Sequence, residues 1–153
     1  MFYGRKVNSR INALHCRALR IIYRNYDLSF LELLELDGSC TIHHRNIKCL
    51  ATELYKCKNS LSPTFMSDIF NIKDNISHNT RHKNCFYSLS NPKTDLYGIN
   101  SLSYFGPTVW SMLPDDIKNS VSLEVFKSKI KSWKITNCTC KLCRSYVQGL
   151  GYA

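Results

Sequence analysis

The sequence predicts a mainly α-helical protein: a small helical bundle with one irregular insert and a cysteine-rich C-terminal tail. Apolar residues recur at steps of three and four along several segments, which places them on one face of a helix. Serines and prolines stand where those helices would begin. The expected parts are a basic helical part, an irregular insert, a Trp/Pro motif with a lysine-rich helix, and the tail, at residues 1–70, 71–102, 103–135 and 136–153.

The first predicted helix, residues 7–26, has one apolar face and one basic face. Arg10, Arg17 and Arg24 recur at steps of seven, and Arg20 lies beside them. Two interpretations of this basic face stay open, a solvated surface and a stripe that faces phosphates. The apolar face consists of Ile11, Leu14, Ala18, Ile21 and Ile22.

Clear start and stop signals define the second and third helices. Ser29 and Glu32 have the spacing of a capping box, and Gly38 is a suitable stop. The pattern of residues 42–58 predicts a third helix. Its first turn contains two adjacent histidines, which point about 100° apart on a helix and are expected at the surface, unable to share a metal. These histidines are His43 and His44.

Pro63 is expected to open a fourth helix that reaches about Phe70. The insert that follows could form a short irregular β-hairpin from residues 85–89 and 95–99. Several of its aromatic residues alternate with lysines, so they either stack on unpaired bases or pack in a core. These residues are Phe86, Tyr87, Tyr97 and Tyr104.

In the third part, residues 103–135, we expect a short helix opened by Pro107 and closed by Pro114. One further turn should follow at residues 115–119. A last helix is expected from a cap at Ser122 to about Trp133, with a buried stripe and a lysine-rich outer surface. The lysines are Lys127, Lys129, Lys131 and Lys134.

Charge and composition narrow the class of protein. The chain has 21 basic and 11 acidic residues, a net charge of +10, which favours polyanionic partners such as RNA or DNA. No apolar run approaches the roughly 20 residues that span a bilayer, and no signal peptide is evident, so we expect an intracellular protein without a membrane partner, in the cytoplasm or the nucleus.

In such a compartment the eight cysteines are expected to be thiols. Cys16, Cys49 and Cys57 fall in helical patterns and are expected to act as small apolar residues.

The densest cysteine cluster is Cys138, Cys140 and Cys143. Its thiolates could bind zinc, but a closed structural site requires four ligands. The fourth ligand would then come from the insert, whose donors are His78, His82 and Cys85. Zinc and free thiols remain alternative interpretations.

Asp115 and Asp116 are the only acidic pair that invites a catalytic interpretation. Two-metal phosphoryl transfer needs a further acidic ligand and a fixed strand framework. This pair instead follows Pro114, where acidic residues favour the start of a helix. The sequence therefore predicts that this chain is not an enzyme.

Two stretches carry a resemblance to a known family. Residues 105–120 read F-G-P-T-V-W-S-M-L-P-D-D-I-K-N-S, and S-L-x-x-F-K follows at Ser122. Residues 14–22 read L-H-C-R-A-L-R-I-I. Smaller matches are N-T-R at residue 79 and the C-x-C-x-x-C ending. Together they resemble the C-terminal, post-thumb region of a LINE-type, jockey-like retrotransposon reverse transcriptase.

The resemblance implies the tail of an RNA-directed DNA polymerase whose catalytic residues are absent from this chain. Such a tail is expected to contact RNA or DNA without reading sequence, and also the polymerase thumb. The alternative is a degenerate structural remnant that packs on the missing thumb and has no activity alone. The residues expected to bind phosphates are Arg10, Arg17, Arg20, Arg24, Lys127, Lys131, Lys134, Lys141 and Arg144.

Overall fold

A computed structural model of the chain is mainly helical, which confirms the predicted fold class. It describes residues 5–70, 87, 93–94, 98 and 101–135. No helix within these ranges is long and apolar enough to cross a membrane. The seven described helices are α1 (Arg5–Tyr23), α2 (Phe30–Asp37), α3 (Ile42–Lys58), α4 (Thr64–Phe70), α5 (Leu102–Met112), α6 (Asp115–Lys118) and α7 (Leu123–Ser132).

The described residues divide into two compact units. The first unit contains residues 5–47 and Ile135, and the second lies within Lys48–Lys134. The boundary falls inside α3. The predicted hairpin lies outside the described residues, apart from Tyr87 and Gly98.

In the first unit, α2 has the ends that its sequence predicts. The Ser29 Oγ accepts a hydrogen bond from the Glu32 N–H, and a Glu32 carboxylate oxygen accepts one from the Ser29 N–H at 2.7 Å. Gly38 follows with a left-handed φ of 67°. Its N–H bonds to the last turn of the helix, as in a Schellman motif. The predicted capping box and glycine stop are both confirmed.

The end of α1 differs from the prediction, because the helix stops at Tyr23 instead of continuing to residue 26. Arg24 adopts a left-handed φ of 49°. The Asn25 N–H then bonds back to the Arg20 carbonyl at 3.2 Å, which completes a Schellman motif without a glycine. Arginine carries no sequence signal for this conformation, so the stop could not be read from the chain.

The inner face of α1 is also different from what its apolar pattern suggests. Leu19 packs with Leu33 and Leu34 of α2, and Cys16 lies partly buried against them. The stripe that includes Leu14 and Ile21 points outward, with these side chains 63% and 66% exposed. An apolar face of this kind normally covers a core.

Polar side chains occupy the inner positions of α1 instead. Asn8 and Asn12 are buried, and the Asn12 Oδ1 accepts a hydrogen bond from the Ile42 N–H at 3.2 Å. That N–H begins α3 and has no intrahelical acceptor, so the asparagine satisfies it. The expectation of two surface histidines is wrong for His43, which is buried, while His44 is partly exposed. The separation of about 100° between adjacent helical residues explains why one turns inward.

An aromatic core holds the second unit together. Tyr55 of α3 stacks on Phe126 of α7 with ring centroids 4.3 Å apart. Tyr87 meets Phe70 and Trp110 edge to face, and its hydroxyl donates to the Leu54 carbonyl at 2.6 Å. Burial raises the pKa of the Tyr87 phenol, with the Cys57 thiol as a smaller cause. For Tyr87, the core interpretation is the one the structure supports.

Helix α5 begins at Leu102, so the prediction that Pro107 opens it is wrong. The Ser101 hydroxyl caps the helix by accepting the Tyr104 N–H, and Pro107 lies buried inside it. Gly106 permits a close contact, since a Cβ there would lie 2.7 Å from a ring carbon of Phe70. The closing position is as expected, because α5 ends at Met112 just before Leu113 and Pro114.

The remaining predicted elements match more closely. Helix α3 has the predicted bounds, and α4 begins at Thr64, directly after Pro63. Of the cysteines expected to act as small apolar residues, Cys57 is buried and Cys16 is half-buried. Cys49 is exposed, so that expectation is wrong for it.

Candidate nucleic-acid interface

Helix α7 presents lysines beside its buried face. The Ser122 hydroxyl accepts the Val125 N–H and caps the helix, as the sequence predicts. Phe126 and Ile130 are buried on one side. Lys127 and Lys131 are four residues apart, so they lie on one exposed face of the helix.

A further amine joins this surface from α3. The Lys48 Nζ donates to the Lys131 carbonyl at 2.7 Å, at the last turn of α7. A cation at this position interacts favourably with the negative end of the helix dipole. Sequence reasoning missed Lys48, because the two residues are 83 positions apart and only the folded second unit brings them together.

We define the α7 lysine surface as Lys48, Lys127, Lys131 and Lys134. Lys134 follows the end of the helix and is exposed. Within the described ranges, neither the Lys127 nor the Lys131 ammonium lies within ion-pair distance of a carboxylate. Their charge is therefore available to an anion from outside.

Other lysines of the second unit are already engaged. The Lys129 Nζ donates to the Asp116 carbonyl at 2.8 Å, and its carboxylate lies 4.0 Å away. The Lys118 Nζ pairs with Asp115 at 3.2 Å. Lys129 thus sits on the other side of α7, away from the surface defined above.

The acidic pair Asp115–Asp116 forms the first turn of α6, and both side chains are exposed. Ile117, the next residue, is buried in the core. Acidic groups in a first turn stabilise the positive end of a helix. The structure places the pair where the sequence predicts it, at the start of a helical turn.

The arginines of α1 are only partly brought together. Arg10 and Arg17 are exposed and, being seven residues apart, lie on the same face. Arg20 is half-buried, with its Nε inside the protein. Arg24 lies beyond the helix end, so its predicted place on the same helical stripe is wrong.

Leu14 and Ile21 alternate with Arg10 and Arg17 at helical spacing, so charge and apolar area share one ridge of α1. Phosphates interact favourably with the charged groups but not with the apolar ones. This ridge therefore differs in chemistry from the α7 lysine surface.

The predicted zinc ligands and two of the predicted phosphate contacts lie outside the described residues. Among the residues that are described, no group of three or more His, Cys, Asp or Glu side chains could hold a metal ion. The zinc site stays a prediction. The residues concerned are His78, His82, Cys85, Cys138, Cys140, Lys141, Cys143 and Arg144.

Compared with known protein families, with characterised proteins and with solved structures, the chain shows no match.

Proposed function

We propose that this chain is a non-catalytic module that binds RNA or DNA without reading sequence, and that it derives from the C-terminal region of a LINE-type reverse transcriptase. The observation that supports binding is the α7 lysine surface. Lys127 and Lys131 are exposed on one helical face, and Lys48 adds an amine at its end. Amines spaced along a helix suit the phosphates of a nucleic-acid backbone.

The chemistry of binding is electrostatic. Each phosphate that a lysine neutralises releases a condensed counterion, which lowers the slope of log affinity against log salt by about 0.9 for duplex DNA and about 0.7 for single strands. No base edge needs to be reached, so the same surface serves RNA and DNA. An intracellular location, in the cytoplasm or the nucleus, belongs to the same proposal.

The family part of the proposal rests on the sequence motif, whose residues share one role in the structure. The glycine, proline, tryptophan and leucine of the motif, followed by its isoleucine and phenylalanine, are all buried in the second unit. The motif residues thus belong to the core of the second unit, whereas Lys127 and Lys131 of α7 are exposed to solvent. These buried residues are Gly106, Pro107, Trp110, Leu113, Ile117 and Phe126.

The test compares two double variants of equal charge. Lys127→Gln with Lys131→Gln removes the available amines, and Lys56→Gln with Lys118→Gln removes amines that already pair with Glu53 and Asp115. Fluorescence anisotropy with labelled RNA hairpins, single strands and duplex DNA is measured across a salt series. We expect the first variant to lose about tenfold in affinity and to flatten the salt slope by roughly two units.

The second double variant should bind nearly as the unchanged chain does, because its lysines are engaged within the protein. Equal losses in both variants would mean that net charge alone attracts the nucleic acid. Binding that is absent at low salt, or indifferent to salt, would refute the proposal.

A second candidate function is a structural remnant that only packs on a polymerase thumb. The outward apolar ridge of α1 favours it, because Leu14 and Ile21 are available for burial by another protein. A remnant of this kind would aggregate when isolated and show no cooperative unfolding transition. A cooperative melt of the isolated chain, followed by circular dichroism, would decide against it.

A further inference from the structure

Helix α1 carries a row of apolar side chains that the described residues leave largely exposed. Successive members are four, three, four and three residues apart, which keeps them along one line of the helix. Leu14 and Ile21 are 63% and 66% exposed, and Val7 is 43% exposed. We call this row the α1 stripe. Its residues are Val7, Ile11, Leu14, Ala18 and Ile21.

The two edges of the α1 stripe differ. Along one edge, Arg10 and Arg17 each lie three or four residues from two members of the stripe, so their side chains border it. Both arginines are exposed, and no described carboxylate lies within ion-pair distance of either guanidinium. Along the other edge, Asn8 is buried, and the His15 ring meets Phe30 of α2 edge to face at 5.8 Å. The stripe thus has one open, cationic edge and one edge that packs within the unit.

The spacing of the stripe indicates a helical partner. Apolar residues that recur every 3.5 residues on average form the seam along which one helix packs on another. A cation beside such a seam favours a partner with an acidic side chain at the facing position. Helix α1 has no acidic residue that could pair with Arg10 or Arg17. The surface therefore suits a helix whose apolar row is edged by glutamate or aspartate.

We propose that the α1 stripe binds an amphipathic helix of another protein, with aliphatic side chains against Leu14 and Ile21 and acidic side chains against Arg10 and Arg17. Removal of apolar area from water provides most of the affinity. The ion pairs determine which helix binds and in which direction it lies.

A second copy of α1 does not fit the stripe. In an antiparallel pair of such helices the arginine edges face each other, and in a parallel pair each arginine edge faces the edge that contains Asn8 and His15. Neither arrangement offers a carboxylate to an arginine. A nucleic-acid strand could contact the arginines through its phosphates, but it would leave the aliphatic side chains uncovered.

The inference goes beyond the proposed function, because it concerns the first unit and not the α7 lysine surface. Nucleic-acid binding and helix binding can therefore fail independently. It also differs from the interpretation as a structural remnant, which requires an isolated chain without a cooperative unfolding transition. Here the folded chain itself presents the stripe.

The first experiment measures the binding of three synthetic peptides to the full chain by isothermal titration calorimetry. The test peptide has three heptads, with leucine or isoleucine in the apolar row and glutamate on both edges. The second peptide has lysine in place of glutamate. The third keeps the glutamates but has glutamine in place of the aliphatic residues. We expect the test peptide to bind at least about tenfold more tightly than either control, because only it matches both the stripe and the arginines.

The second experiment tests whether the stripe is the apolar contact. Leu14→Gln with Ile21→Gln should weaken binding of the test peptide by about tenfold, because glutamine removes apolar area while keeping helix propensity. The matched control replaces Val121 and Val125, exposed apolar residues of the second unit, with glutamine and should leave the affinity unchanged. Circular dichroism confirms that each variant remains helical.

The third experiment tests the arginine edge. Arg10→Gln with Arg17→Gln should weaken binding of the test peptide by about tenfold, because the facing glutamates lose their partners. Lys127→Gln with Lys131→Gln removes the same amount of charge from exposed positions of the second unit. This control should keep the affinity within about twofold, because distant sites act independently.

Three outcomes would overturn the proposal. The first is a test peptide that binds no better than the lysine or the glutamine peptide. The second is an equal loss in the arginine and the lysine variants, which would mean that net charge alone attracts the peptide. The third is binding to vesicles of phosphatidylserine and phosphatidylcholine that the Leu14 and Ile21 substitutions abolish, which would assign the stripe to a membrane surface.

Discussion

Helices α1 and α7 show the same kind of apolar pattern in sequence but use it in opposite ways. In α7 the stripe is turned inward, with Phe126 stacked on Tyr55 and Ile130 buried. In α1 the residues at stripe positions such as Leu14 and Ile21 face outward, and asparagines are buried instead. Among the described residues, the second unit thus closes its own apolar face, whereas the first leaves one exposed.

The difference shows what an apolar stripe does and does not specify. It indicates a face whose removal from water is favourable. It does not indicate which molecule covers that face. In α1 one inner position is fixed by a single hydrogen-bond requirement, the Ile42 N–H that Asn12 satisfies. A polar side chain with a defined acceptor role can therefore take the inner position ahead of a larger aliphatic one.

Truncating one residue of each stripe should give the largest contrast. Phe126→Ala is expected to cost about 3–5 kcal/mol, because it removes a stacked ring from a closed core. Leu14→Ala should stay within about 0.5 kcal/mol, because the side chain is already exposed. Urea unfolding in dilute solution measures both. Equal costs would mean that α1 buries its stripe in solution.

A smaller loss is expected from Gly106→Ala in the second unit. The new methyl would lie 2.7 Å and 2.8 Å from two ring carbons of Phe70, so the ring must move. Overpacking of this kind costs about 1–3 kcal/mol. Both tryptophans, Trp110 and Trp133, lie in this unit, so their fluorescence reports its unfolding. An unchanged midpoint would show that Phe70 can move aside freely.

Asn12→Leu should destabilise the first unit. The substitution adds apolar volume but leaves the Ile42 N–H without its acceptor, at a cost of about 1–3 kcal/mol. Hydrogen exchange should speed up at the start of α3, while tryptophan fluorescence of the second unit changes little. A stabilised variant would show that the inner face of α1 accepts an apolar residue after all.

The smallest effects should come from glycine at the left-handed positions. Arg24 and Ser60 have φ values of 49° and 55°, at the ends of α1 and α3. Arg24→Gly and Ser60→Gly should each stabilise by about 1 kcal/mol, since glycine adopts this conformation without steric strain. Thermal unfolding measures the gain. Gly38→Ala is the control of opposite sign, because Gly38 has a φ of 67°.

The elements that the sequence predicts well are those with local chemical signals. The capping serines Ser29 and Ser122, the stop at Gly38 and the bounds of α3 are all confirmed. Each depends on groups a few residues apart, so the chain alone contains the information. The mainly helical class follows for the same reason.

Two of the features that were missed depend on contacts between distant segments. The burial of His43 and the approach of Lys48 to α7 have no local signal, whereas the start of α5 at Leu102 has one in its Ser101 cap. On the candidate interface, the face shared by Lys127 and Lys131 follows from spacing, whereas the loss of Arg24 from the arginine stripe does not. The left-handed backbone conformation of Arg24 depends on the turn that follows it.

Five described lysines of the second unit fall into two chemical groups. Lys48, Lys58 and Lys129 donate to main-chain carbonyls at or near the ends of other helices or turns. Lys127 and Lys131 project into solvent. Because only an uncommitted amine acylates readily, acetylation or a mild amine-reactive label should mark the latter two before the other three. A modification pattern on intact protein would then map the charged surface without any ligand present.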